Sequence, residues 1–487
     1  MTFQRELAWA HIEAVDRASV AYQAARYALA VDYALLPREV VHEAKRSVLD
    51  ALGCAIGAYE APGRTVCEKT MTALGGPEEA TVIGSGVRTS ALNAAMINSF
   101  MVRFLDYNDW GGGGHNSDAL ASLLAIAERE SLGGADLITA LVISYELGAR
   151  FHESLASHVT STGTSGGASG VDGWQALSLR TEVWNSDIRA GFNQPPALGK
   201  LMGLSENQIA NAIGLVMSHS LPLGILDAHR EELVMAKNIR FGWVAYDATL
   251  ACMLAQNGFT GPVRVVESDT GIRTALYGGA MDLERLTDFS GWRMKDVKYK
   301  ALAADGTLHS NVSATLAIVK EQDLKPEDIA AVHITTGVRS SRHTVTPAKK
   351  YPRTAENADH SAFYANALAI KERAFGPESI HPEKFTDPVV LDLIEKITVS
   401  GSSDLGFLGG ISEIITTDGR RFEKRVDVPR GLGSSLSDAE LESKFREMAT
   451  AHMSDGQIQD IFDTIWELES VKDLGRLTRL MKFPANR

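Results

Sequence analysis

"SALNAAMINSFMVRFLDYNDWGGGGHNSDALASLLAIAE", Ser90 to Glu128, carries the reading of the fold. Its first part is Ala-rich and apolar almost all round, which marks a helix buried among other elements rather than lying at a surface. Asp106, Asn108 and Asp109 close that helix, Gly111–Gly114 and His115 follow, and a second periodic run begins. Ser117 or Asp118 is placed to cap this second helix, and Gly133–Gly134 to end it.

A buried helix needs helical neighbours, and the first half of the chain supplies them. "LPREVVHEAKRSVLDALGCAIGAYEAPG" repeats apolar residues every three or four positions up to a stop at Pro62–Gly63. "GADLITALVISYELGARFHESL", "PPALGKLMGLSENQIANAIGLVMSHS" and "FGWVAYDATLACMLAQNGFTGP" read the same way. From about residue 285 the texture changes. "KDVKYKAL", "AAVHITTGV", "EKITVSG" and "SEIITTDGRRFEKRVDV" are short β-branched runs, the last with an Asp418–Gly419 hairpin turn. Helices "HSNVSATLAIVKEQ" and "HSAFYANALAIKERAFG" lie between them, and the chain is helical again after Pro429. The expected architecture is mainly α: a large helical domain from residues 1–284 and 430–487, with a smaller α+β domain, 285–429, inserted in it. The cleft between two such bodies is a favoured ligand site.

Composition narrows the function. The 487 residues are 45% hydrophobic and 22% charged, and 48 Lys and Arg face 61 Asp and Glu, a net charge of −13. That balance disfavours nucleic acid and anionic membrane surfaces as partners, while leaving room for a local basic pocket. Cys54, Cys67 and Cys252 are odd in number and widely spaced, which points away from zinc ribbons and iron–sulfur sites and towards a reducing compartment. No apolar run reaches the roughly 18–20 residues of a membrane span, and the first residues lack a signal-peptide core. The expected location is cytoplasmic.

Familiar motifs fail on context. Gly163-Thr-Ser165-Gly-Gly167 has the nucleophile-elbow pattern, but it lies within a Gly/Ser/Thr stretch, residues 159–174, that reads as loop or disorder. His152-Glu153 is followed by His158, two positions too late for a zincin helix. Gly84-x-Gly86 lacks its third glycine and reads as a hairpin turn. Asp106, Asp109 and His115 have oxygen and nitrogen ligands, but the glycines between them add none. Convergent chemistry remains at Lys237, at the start of an apolar helix, at Lys298, Lys300, Asp305 and His309, and at His360 and Tyr364.

Together these stretches resemble the MmgE/PrpD family, which includes 2-methylcitrate dehydratase, cis-aconitate decarboxylase and iminodisuccinate epimerase. The resemblance runs from "VVHEAKRSVLDALGCAIGA" to "VDVPRG", and its most specific block is "LDYND…GHNSD". It implies catalytic roles for Asp106, His115, Lys237, Lys300, His309 and Tyr364, with Asn108, Trp110 and Asp305 at the substrate. Trp110 stands where the family has Thr, Asn116 replaces a proline, Asp305 aligns with a His, and Trp184–Asn185 fall where an acid or base is usual. The family chemistry acts beside a carboxylate. It implies a cofactor-independent hydro-lyase on a small hydroxy di- or tricarboxylate, with no metal, working as a homodimer. The alternatives are a decarboxylase or epimerase of the same fold, or a non-catalytic carboxylate-binding relative.

Overall fold

The computed structural model describes residues 2–111, 114–161, 185–220, 223–227 and 231–483. At its centre lies the Ala91–Phe104 helix, capped by the Ser90 hydroxyl on the Asn93 N–H. Ala91, Ala94 and Ala95 are fully buried, and small side chains let neighbouring helices come close. The Ala236–Gln256, Arg38–Gly57 and Leu120–Arg129 helices pack directly on it. At Gly242 the crossing is so tight that a Cβ would stand 3.0 Å from the Met96 carbonyl oxygen. A helix-interior glycine costs roughly 1 kcal/mol against alanine, and here the close crossing offsets it.

Several helix boundaries depart from the sequence reading. Pro62 does not stop a helix; it opens the Pro62–Ala73 helix at its first turn, where a missing N–H is harmless. The preceding helix ends earlier, at Gly57. Neither Ser117 nor Asp118 caps the Leu120–Arg129 helix. Both lie in a 3-10 turn, Asn116–Ala119, and the Ser117 hydroxyl binds the Asp109 carboxylate instead. Gly133–Gly134 begins the next helix, Gly134–Ser161, rather than ending this one. The 163–167 motif and Trp184 lie outside the described residues.

The two-stranded hairpin β1 (Ala80–Thr81) with β2 (Arg88–Thr89) turns through Gly84 and Gly86, both at positive φ. The main sheet contains β3 (Ile329–Gly337), β4 (Ile397–Ser402), β5 (Gly410–Thr416) and β6 (Arg421–Val426), in the order β4-β3-β5-β6. β3 and β4 are parallel, with helical chain between them, while β5 runs antiparallel to both β3 and β6. The His309–Glu321 helix covers the sheet and carries the Ala362–Glu372 helix beside it. "KDVKYKAL" is no strand. It opens in a 3-10 turn, Met294–Asp296, then makes a single antiparallel bridge, Lys298 to Trp110. Its backbone is committed to the site loop rather than to the sheet.

Past the sheet, the Asp438–Ala449 helix returns to pack on Arg38–Gly57. Lys444 on this helix is buried, and its ammonium reaches Asp50 Oδ1 at 2.6 Å, the Tyr107 carbonyl at 2.6 Å and the Lys300 carbonyl at 2.9 Å. One cation thus ties the late helix to both segments that carry the Asp106 cluster. Removing one partner of a buried ion pair typically costs about 3–5 kcal/mol. Lys444→Ala is expected to lower the unfolding free energy by about that amount, read as a fall in urea midpoint at constant slope.

Candidate active site

The apolar helix stops at Phe104 because the chain turns sharply. Asp106 adopts φ 45, a left-handed conformation rare for a residue with a side chain. The turn aims its carboxylate back into the protein, where it is 1% exposed. Arg103, one turn earlier, binds Oδ1. Lys300 reaches the same oxygen at 2.7 Å, and also the Asp106 carbonyl at 2.9 Å and the Ala304 carbonyl at 3.0 Å. All three N–H donors of Lys300 are therefore occupied by the protein. Lys237, fully buried in the first turn of its helix, stands 3.7 Å from Oδ2. Burial by itself would raise the pKa of Asp106, but Arg103, Lys300, Lys237 and His360 hold it well below the usual carboxylate range. Asp106 is thus a permanent anion around which cations assemble.

His115 approaches from the other end of the glycine turn. Gly111 and Gly114 exchange both backbone bonds, at 3.0 and 3.1 Å, so the chain doubles back on itself. Trp110 exchanges two more with Lys298, at 2.8 and 3.0 Å, which zips the loop to the segment bearing Lys300. His115 Nδ1 donates to the Asp109 carbonyl at 2.5 Å, fixing the tautomer. Its Nε2 then carries a lone pair, 3.7 Å from Asp106 Oδ1. Burial, reinforced by Arg103 and Lys300, keeps the ring neutral by pushing its pKa well down.

His309 sits beside Lys300, and its Nε2 shares the Ala304 carbonyl at 3.3 Å. Its Nδ1 is buried with no hydrogen-bond partner. Burial, followed by the charge of Lys300, lowers its pKa to about 3. Asp305 caps the following turn through Oδ1, bonding the Thr307 N–H at 3.0 Å and also its hydroxyl. Its Oδ2 faces His360 and His343, at 3.7 and 3.8 Å.

Not every expected site residue joins the cluster. The Tyr364 hydroxyl donates to the Ser379 carbonyl at 2.6 Å, and its ring packs edge-on against Phe385. His360 lies just before the Ala362–Glu372 helix, whereas Tyr364 lies within it, buried, with its hydroxyl turned to Ser379 instead of the carboxylate. Asn108 is fully buried and spends its amide donors on Ser117 and Asp118, at 3.0 and 3.1 Å, so it fastens the loop. Trp110 contributes its backbone bridge to Lys298.

Other members went unread in the sequence. Arg103 follows a long apolar run, and a lone cation on an all-buried helix is a signal for a buried partner. His360 was visible, but its link to Asp359 was not: Nδ1 meets Asp359 Oδ1 at 2.5 Å, while Lys237 bonds Asp359 Oδ2 at 3.3 Å. Asp227 and His343 have no local signature, since the residues they meet come from other segments of the chain.

The fold and cluster define a helical protein with a cation-rich, water-poor carboxylate centre. Two family models match the chain, the MmgE/PrpD N-terminal domain over residues 22–284 and the MmgE/PrpD C-terminal domain over 303–468, and the chain belongs to the MmgE/PrpD family. It is 23% identical over 486 residues to the cis-aconitate decarboxylase-like protein oryM of Aspergillus oryzae, covering 92% of this chain and 94% of that protein. Mus musculus cis-aconitate decarboxylase is 24% identical over 471 residues, covering 92% and 90%. Alkylcitrate dehydratase phiI of a fungal species is 24% identical over 477 residues, covering 90% and 89%. Decarboxylases and dehydratases are both lyases, and this chain stands among them.

Asp106→Asn preserves shape but leaves Arg103 and Lys300 without their counter-charge. The expected loss is about 3–5 kcal/mol of unfolding free energy, measured by urea titration. His309 is expected to remain neutral, by proton NMR of its ring, until pH falls to about 3. Because its folded pKa lies below the unfolded value, the stability it confers is complete above about pH 6.5 and is lost progressively as pH falls towards 3. His309→Asn should flatten the stability profile within that window.

Proposed function

We propose that this chain is a lyase acting on a small di- or tricarboxylate, with elimination of water from a hydroxy acid such as 2-methylcitrate as its reaction. The observation that carries the reading is the pairing of a neutral imidazole lone pair, His115 Nε2, with a buried cation that is only loosely held, Lys237. The Lys237 contacts are 3.3 Å to Asp359, 3.4 Å to His360 Nδ1 and 3.7 Å to Asp106, so a substrate carboxylate can compete for its ammonium. Lys300 and Arg103 serve differently, by holding Asp106 in place.

In this reading His115 Nε2 takes the proton alpha to a substrate carboxylate. The C–H electron pair moves into the new double bond as the β-hydroxyl departs with a proton. Lys237 stabilises the negative charge that grows on the carboxylate. The imidazolium formed at His115 returns that proton to the departing hydroxyl, so the group leaves as water and the base is regenerated.

A second reading is decarboxylation, favoured by the names of the cis-aconitate decarboxylase relatives. There a C–C bond breaks, CO₂ leaves and the electron pair remaining on carbon takes a proton. No imidazole base is required for that bond to break.

Incubating the purified protein with citrate, 2-methylcitrate and cis-aconitate in D₂O, followed by proton NMR, tests both readings. Elimination yields a new vinyl or unsaturated product without CO₂, and decarboxylation yields CO₂ with deuterium on the residual carbon. An inert protein across the panel would overturn the lyase reading. His115→Gln is expected to lower dehydration by about 10²-fold or more with little change in melting temperature. Wild-type rates in that variant would remove His115 from the base role.

A further inference from the structure

Next to the Asp106 cluster, four side chains from four separate segments converge. Asp227 ends the Gly224–Asp227 turn, Asp305 precedes a second turn, His343 lies on the Val338–Thr344 helix, and His360 precedes the Ala362–Glu372 helix. His343 Nε2 is 4.0 Å from Asp227 Oδ1 and 3.8 Å from Asp305 Oδ2. His360 Nε2 is 3.8 and 3.7 Å from the same two oxygens. We infer that Asp227, Asp305, His343 and His360 form a binding site for a divalent cation of the zinc or manganese class.

Three features argue for an ion rather than a hydrogen-bonded knot. The separations are too long for hydrogen bonds. The ligand atoms of Asp227, His343 and His360 all lie within 4.8 Å of one another, against roughly 3.4 Å for ligands about 2.1 Å from a common tetrahedral ion, so the set closes inward to seat one, with Asp305 beside both imidazoles. Second, the outer atoms of three ligands are already held while their inner atoms point inward. Asp359 takes His360 Nδ1, Arg240 takes Asp227 Oδ2 at 3.2 Å, and Thr307 takes Asp305 Oδ1. A carboxylate fixing the far nitrogen of a histidine is the usual support for a metal-ligating imidazole. Third, Asp227 Oδ1 is buried without any hydrogen-bond partner, and a carboxylate oxygen left so is costly unless something positive completes it.

Two imidazoles and two carboxylates suit Zn²⁺, Mn²⁺ or Co²⁺ better than Mg²⁺ or Ca²⁺. Other charged groups also face the set. Asp106 Oδ2 lies 3.8 Å from His360 Nε2, Lys237 sits behind His360 on Asp359, and the buried Lys349 ammonium donates to the His343 carbonyl at 2.7 Å. The competing arrangement is a protonated imidazole shared between the carboxylates, which holds no ion. The set shares no residue with Asp106, Asp109 and His115, and a cation here runs against the expectation of no metal.

The site stands on geometry alone and does not depend on the lyase reading. The test uses the full chain stripped with EDTA, dialysed and titrated with ZnCl₂ by calorimetry, with elemental analysis of the protein as purified and after reloading. One ion per chain is expected, together with a higher melting temperature in Zn²⁺. Asp227→Asn and His343→Ala should each weaken Zn²⁺ binding tenfold or more. Circular dichroism checks folding. Should His343→Ala fold poorly, the near-isosteric Asp227→Asn still decides. No retained ion and no Zn²⁺ heat in the parent chain would overturn the site, as would unchanged affinity in folded Asp227→Asn. Absence of turnover on every acid would sink the lyase proposal and leave this stoichiometry untouched.

Discussion

A carboxylate removed from water persists as an anion only if cations accompany it. Asp106 meets this demand with Arg103, Lys300 and Lys237, drawn from its own helix, from the irregular segment after residue 297, and from the start of a second apolar helix. Each cation would be costly to bury alone, and so would the anion. The cluster therefore acts as a geometric lock on three segments. The left-handed turn at Asp106 is where the chain accepts local strain so that the carboxylate can face inward.

The rest of the site follows from that lock. Once Lys300 is held on Asp106, the Trp110–Lys298 bridge and the Gly111–Gly114 reversal fix where His115 can stand. Lys444 fastens the same two segments from behind, through the Tyr107 and Lys300 carbonyls. The site is thus supported by elements far apart in the chain. The cations of the site are unequally committed. Lys300 is saturated with protein acceptors, whereas Lys237 keeps long, weak contacts. Two lysines that look alike in sequence differ in how closely the protein's own acceptors hold them.

Much of this was legible beforehand. The all-apolar Ala91–Phe104 run required a helical core, and the β-branched runs after Ala330 became the sheet. Family-like blocks pointed to Asp106, His115, Lys237 and Lys300, which the fold brings together. Tyr364 illustrates the limit. It lies four residues beyond His360, yet its hydroxyl turns to Ser379, and side-chain direction on a helix is decided by what packs against it. "KDVKYKAL" is another case. Its β-branched pattern suited a strand, but a strand needs a partner along its length, and the site loop offered a single bridge.

What the sequence determined by itself is the set of elements and the family, because hydrophobic period and helix punctuation act over a few residues and leave a local record. What only the tertiary structure decided is partnership: Asp359 behind His360, Asp227 facing His343, and Asn108 turned to Ser117 and Asp118. Electrostatic pairing in a buried site falls off with distance in space and is blind to separation along the chain. Residues 227, 305, 343 and 360 carry no mutual signal until packing has brought their four segments together.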